Sequence, residues 1–273
     1  MSFPPSHLLQ HSRQHLVSFA VQVLLPAVAL TLLQIFLISF WSQEDDYASI
    51  FKGLTQWDSH WYLGIVRRGY QFVGFDKIAY EQSNVAFFPG YPLAVAAISR
   101  LLGVDPELGL YLTAQLFCWL MWIYFFLFCR RWQIPPLGQV LASLIILVSS
   151  FYLVVGYSES LFLASLLGFF YWSMDLNAPW PAFLAGIHGL VMSATRIVGL
   201  PVALVPLLRL SHPWFWTASA VVLALLGGLG FFLYCQLRFG RWDLYLEMQR
   251  YFGPSSFDYL AIIRPRTYAP PLF

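Results

Sequence analysis

Residues 84–102, NVAFFPGYPLAVAAISRLL, decide how this chain is arranged. The apolar run from Ala86 to Leu102 is 17 residues long and contains Pro89, Gly90, Pro92 and Arg100. A helix that crosses a bilayer needs about 20 apolar residues, so this run sits at the short limit. Whether it crosses sets the orientation of everything after it. The preceding stretch, QWDSHWYLGIVRRGY at 56–70, places an Asp among aromatics and two Arg nine and ten residues further on. Most of the remaining chain is hydrocarbon, so residues 56–92 are where chemistry is expected.

Composition sets the class. Of 273 residues, 59% are hydrophobic and 10% charged, against about 25% charged in an ordinary soluble domain. Mean hydropathy is +0.66. This predicts an all-α integral membrane protein, with 1–273 as one membrane domain. A net charge of +2 gives no support for nucleic acid. Cys118, Cys129 and Cys235 fall in apolar segments without metal-type spacing and read as small buried hydrophobes. The apolar run 16–41 is longer than the roughly 7–15 residues of a signal-peptide core and reads as an uncleaved first span. His7, His11 and His15 would share a helix face, but no carboxylate or thiol completes a metal set. A solvated interfacial helix is the simpler reading, and neither metal nor cofactor is expected.

Further spans are predicted at 108–128, 137–155, 160–174, 181–194, 198–208 and 214–237. The stretch 181–210 also reads as one long element broken at Thr195–Arg196. The bias of Lys and Arg toward the cytoplasm decides the ambiguous run. Arg130–Arg131 mark a cytoplasmic end. If 86–102 crossed, that pair would land outside. If it lies along the surface, Arg13, Arg130, Arg131 and Arg209 are all cytoplasmic, with Asp175 the one acid beside them. This predicts seven spans, the N-terminus inside, and an external loop (42–107) with interfacial helices. That loop holds Glu44, Asp45, Asp46, Asp58, Asp76, Glu81, Asp105 and Glu107, eight of the thirteen acids. The arrangement also gathers Asp58, Arg67, Arg68, Glu159 and Arg196 on the external side, followed by a charged tail at 238–273.

Each of these has a functional and a plain reading. Asp58 is either a general base at the membrane surface or the last residue of a Thr55-x-x-Asp58 capping box. Trp57 and Trp61, four apart, form an aromatic face that an interfacial belt also explains. Arg67 and Arg68 suit a phosphate or an anionic lipid headgroup. Glu159 opens a span, where the helix dipole favours a carboxylate and Ser158 offers a cap. Arg196 interrupts an apolar stretch, where a charge costs roughly 2.5–3.5 kcal/mol, so it is expected to face a cavity or a partner charge. Phe87-Phe88-Pro89-Gly90-Tyr91-Pro92 is a stiff aromatic turn.

In order, Trp57-Asp58-Ser59-x-Trp61-Tyr62, Gly69-Tyr70, Phe87-Phe88-Pro89-x-Tyr91-Pro92, Tyr157-Ser158-Glu159-Ser160, Thr195-Arg196-x-x-Gly199 and Phe239-Gly240 followed by Gln249 resemble the PIG-V type of GPI mannosyltransferase and its bacterial relatives. The blocks cover about 56–250. The resemblance implies a GT-C membrane glycosyltransferase with a core of about seven transmembrane helices. It would use a polyprenyl-phosphate sugar, typically mannose, on the external or lumenal side, with a lipid or glycan as acceptor. It implies Asp58 as the catalytic residue. Trp57, Trp61, Tyr62, Arg67, Arg68, Tyr70, Phe88, Pro89, Tyr91, Glu159 and Arg196 would line the substrate site. Two departures stand out: relatives have Gly-Asp-Pro where this chain has Gly240-Arg241-Trp242, and they commonly continue through further spans. The chain length favours a bacterial plasma membrane over the endoplasmic reticulum. The alternative readings are a non-catalytic protein that keeps the fold and binds a polyprenyl lipid or a membrane-protein partner, and, further off, a transporter.

Overall fold

A computed structural model describes residues 17–42, 46, 49–50, 52, 55, 57–75, 83–147, 150–208 and 213–252. Among them the chain is helical, with no strand. It divides into two compact units, Met1–Gly69 with Phe88–Phe231, and Tyr70–Phe87 with Phe232–Phe273. His7, His11, His15, Arg13 and Arg209 lie outside the described residues.

The first unit opens with a π-helical turn, Ala20–Leu24, running into α1 (Leu25–Ser42). Next come α2 (Asp58–Arg68), α3 (Gly90–Leu102), α4 (Pro106–Arg131) and α5 (Pro136–Leu147). Then follow α6 (Ser150–Val154), α7 (Glu159–Ser173), α8 (Pro179–Thr195) and α9 (Gly199–Ala203). The last helix of this unit, α10 (Trp214–Phe239), continues into the second unit, which also holds α11 (Leu244–Phe252).

Among the described residues, three helical stretches are long and apolar enough to cross a membrane: Val17–Phe40, Pro106–Arg131 and Trp214–Phe239. The run at 86–102 becomes the 13-residue α3. At 1.5 Å per residue it is about 20 Å long, well short of a hydrocarbon core of about 30 Å. The segment expected as a span at 198–208 forms only the five-residue α9 and a 3₁₀ turn, Val205–Leu208. Pro201 and Pro206 fall inside it and remove backbone donors. Between α8 and α9, Arg196 is extended (φ −148°, ψ 143°), so 181–210 is one broken element.

Helices in lipid need small or polar residues to choose a face, because hydrophobicity does not distinguish a neighbour from a lipid tail. In α1, Ala27, Thr31 and Gln34 continue a buried stripe begun by Val23, while Leu32, Phe36 and Phe40 face outward. Gln34 Oε1 accepts from Trp122 Nε1 at 2.8 Å and Cys118 Sγ at 3.0 Å, fixing α1 against α4. Between α8 and α10, a Cβ at Gly189 would come within 2.3 Å of the Ala224 Cβ, so only glycine permits this approach. Ser193 Oγ donates to the Ala224 carbonyl at 2.5 Å and accepts from the Gly228 amide at 3.0 Å. The hydroxyl is thereby inserted between the two groups that would close a turn of α10.

In the second unit the Phe72 ring meets Phe239, at the end of α10, with centres 6.1 Å apart. The Asn84 amide donates to the Gln71 carbonyl at 3.1 Å, and the Gln71 amide to Asn84 Oδ1 at 2.8 Å. Gln249 Nε2 reaches the Ala86 carbonyl at 3.0 Å. Gly240 (φ +76°) ends α10, and Arg241 forks onto Asp243 while lying over the Phe75 ring at 4.9 Å. The departure at 241 therefore has a local role within this unit.

Candidate functional site

Within the first unit, four of the singled-out blocks meet. Asp58 is the first residue of α2, and Tyr62 lies one turn on, fully buried. The Tyr62 hydroxyl donates to Ser158 Oγ at 3.0 Å, just ahead of α7. Arg196, at the break after α8, reaches the same Ser158 Oγ through Nε at 3.4 Å and pairs through Nη2 with Glu159 Oε1 at 2.5 Å. Ser59 Oγ donates to the Gly156 carbonyl at 3.0 Å. Tyr91 packs edge-on against Tyr62 with ring centres 5.0 Å apart, and its hydroxyl donates to the Leu110 carbonyl at 2.7 Å.

Pro89 caps α3, and Phe88 is buried with its ring 5.0 Å from Phe231. Gly90 brings α3 against the end of α8: a Cβ there would lie 2.5 Å from Thr195 Oγ1 and 2.8 Å from the Ala194 carbonyl oxygen. The aromatic turn thus holds the break that presents Arg196.

Both capping alternatives are corrected by tertiary partners. Asp58 follows the N-cap residue Trp57, which makes no side-chain cap bond, and the Thr55 hydroxyl is bonded to Tyr111. Ser158 occupies the N-cap of α7 without a side-chain cap bond and joins Tyr62 to Arg196 instead. Reading sequence alone assigns Ser158 only a local role. Its function as a hub depends on residues 96 and 38 positions away.

The carboxylates differ in environment. Glu159 is held by Arg196 through one oxygen, while Oε2 is buried without a hydrogen-bond partner among the described residues. Asp58 is half-buried and forms no hydrogen bond or ion pair among the described residues. Burial raises its carboxyl above the usual range, opposed by the positive charge of Arg196. Glu159, the first residue of α7, is raised by burial and lowered by Arg196. Burial, and then the Asp58 charge, push the Tyr62 phenol up, keeping it a proton donor to Ser158.

Trp57 is the unexpected element. Its side chain is exposed, but its backbone is at φ +49°, ψ −118°, the mirror image of extended chain. Glycine enters that region freely, whereas another residue is strained by about 1–3 kcal/mol. The strain falls at the peptide that sets Asp58 at the head of α2. Trp61 is half-buried on the same helix.

Two expected site residues lie elsewhere in the first unit, and a third falls in the second unit. Arg67 and Arg68 close α2, about 15 Å along the helix from Asp58. Arg67 pairs with Asp105 at 3.1 Å and Glu107 at 3.7 Å. Tyr70 belongs to the second unit, where its hydroxyl donates to the Phe87 carbonyl at 2.7 Å. Among the described residues, no three His, Cys, Asp or Glu side chains gather as a metal site.

The chain matches no family model, no curated protein and no solved structure.

Proposed function

We propose that this chain is a membrane glycosyltransferase that moves a sugar, mannose first among the candidates, from a polyprenyl phosphate to a lipid or glycan acceptor. The observation that carries the reading is the Asp58 carboxylate: half-buried, unbonded among the described residues, and within electrostatic reach of Arg196. A sugar on a lipid phosphate already has a good leaving group. One carboxylate then suffices, whereas glycoside hydrolysis generally needs two flanking the bond. Asp58 takes the proton of the acceptor hydroxyl as its oxygen attacks the anomeric carbon. The carbon–oxygen bond to phosphate breaks on the opposite side, and the phosphate leaves with the electron pair. The product is inverted.

Arg196 uses one Nη2 hydrogen on Glu159 and its Nε hydrogen on Ser158. Its Nη1 hydrogens are available to the departing phosphate, a common electrostatic role for a fixed donor. The unpartnered Glu159 Oε2 is suited to accept from a sugar hydroxyl. In this reading Tyr62 and Ser158 are positioning residues that hold the guanidinium. A GT-C-like helical membrane core, with this site on the external face of a bacterial plasma membrane, is part of the same proposal and is supported by the ordered motifs and the charge bias.

The test supplies purified full-length chain with radiolabelled polyprenyl-phosphate mannose and membrane lipid extract. Label is expected to move into extract lipid or glycan. Donor binding without transfer from any donor, in any extract, would replace the enzyme with a lipid-binding protein.

A further inference from the structure

The face of α2 that runs from His60 to Arg68 carries a second feature, whose lining does not include Asp58. A pocket of about 610 Å³ is lined there by Lys52, His60, Gly64, Arg67, Arg68 and Glu107, among others. Ligand pockets commonly run from about 300 to 1,000 Å³, so this one has room for a headgroup. Three of its lining side chains are permanent cations and one is a carboxylate. Arg67 is occupied, pairing with Asp105 and Glu107. Lys52 and Arg68 form no ion pair or hydrogen bond among the described residues. His60, Gly64, Arg67 and Arg68 recur on one helix face at spacings of three and four. Gly64 shapes the pocket: a Cβ there would lie 3.2 Å from Arg68 Nη2, so the guanidinium lies back along the helix over the glycine.

We propose that this pocket binds a phosphate-bearing group through Arg68 and Lys52. Guanidinium offers paired donors that match phosphate oxygens, and an ammonium adds a point charge beside them. His60 supplies a further ring nitrogen at the rim. Arg67, held by its two acids, sets the wall and is not the ligand's main contact. The phosphate comes either from an anionic glycerophospholipid headgroup or from a soluble phosphate. Binding here is read with no sugar donor present, so its failure and the failure of the sugar-transfer reading are told apart.

The experiment is native mass spectrometry of the full chain in detergent, titrated with phosphatidylglycerol, phosphatidylcholine and inorganic pyrophosphate. Phosphatidylglycerol is expected to bind more tightly than phosphatidylcholine. Arg68→Ala and Lys52→Ala, both on exposed side chains, should each weaken it about tenfold, while Arg68→Lys keeps much of the affinity. Glu107→Gln should tighten binding a few-fold by removing the carboxylate from the wall, a change of opposite sign that general damage to the fold would not give. If pyrophosphate displaces the lipid, the pocket reads free phosphate; if it does not, the pocket reads the lipid headgroup. Equal phosphatidylglycerol binding by wild type, Arg68→Ala and Lys52→Ala overturns the proposal.

Discussion

Two non-glycine residues hold a positive φ among the described residues, Trp57 at +49° and Gln133 at +53°. At Gln133 the reason is local. The Ile134 amide donates to the Cys129 carbonyl at 2.9 Å and the Gln133 amide to the Arg130 carbonyl at 3.3 Å, the paired bonds that close α4. The end of α3 does the same with a glycine, Gly103, where Val104 donates to Ser99 at 3.0 Å. Gln133 is thus strain offset by satisfied carbonyls. Trp57 accepts the His60 amide on its carbonyl at 3.1 Å, yet among the described residues it makes no side-chain cap bond and the Asp58 carboxylate beside it is unbonded. Backbone strain points to a site where local hydrogen bonding leaves it unexplained.

Mutations can break or sharpen that contrast. The largest effect is expected at Asp58→Asn, which should cut sugar transfer by about 10²–10⁴-fold, the usual range for a general base. The same change should raise Tm at neutral pH. A carboxyl raised by burial favours folding below its unfolded pKa, and that contribution is lost as pH rises through the folded pKa. The gain from Asn should therefore shrink as the pH falls into the range where Asp58 is protonated, as thermal melts across pH would show.

Arg196→Ala comes next. Transfer should fall by about 10²-fold through loss of a fixed donor, and the chain should lose stability because Glu159 is left without its partner. The double variant Arg196→Ala/Glu159→Gln should recover Tm without recovering transfer, since the neutral amide needs no counter-charge.

The strained pair then separates directly. Trp57→Gly relieves strain yet loosens the peptide that orients Asp58, so transfer should fall about tenfold while stability holds or improves. Gln133→Gly should stabilise by about 1 kcal/mol and leave transfer unchanged. Equal effects on transfer at the two positions would remove the distinction. The smallest effect belongs to Gln34→Leu, which strips the acceptor from Trp122 Nε1. It should destabilise by about 1 kcal/mol in a detergent melt, with transfer intact.

Much of this was legible in the chain. The run 86–102 stands at the short limit for a crossing and the charge bias places it along the surface; in the structure it forms the 13-residue α3. The charge at 196 in an apolar stretch implied a partner, and the structure supplies Glu159. What escaped the sequence depends on geometry between distant residues. Arg67 and Arg68 share a motif with Asp58, but 11 residues of helix carry them to its opposite end. Thr55 and Ser158 fit local capping patterns, yet Tyr111, Tyr62 and Arg196 engage their hydroxyls. No spacing rule reports a tryptophan in a glycine conformation.

The most direct test of the Asp58 assignment is the pH dependence of transfer by the wild-type chain, beside the residual activity of Asp58→Asn. A base must be ionised, and burial raises this carboxyl above the ordinary aspartate range. The acid limb should therefore lie above the usual carboxylate range and be absent from the variant. A limb that persists at the same pH in Asp58→Asn would assign the base to another residue.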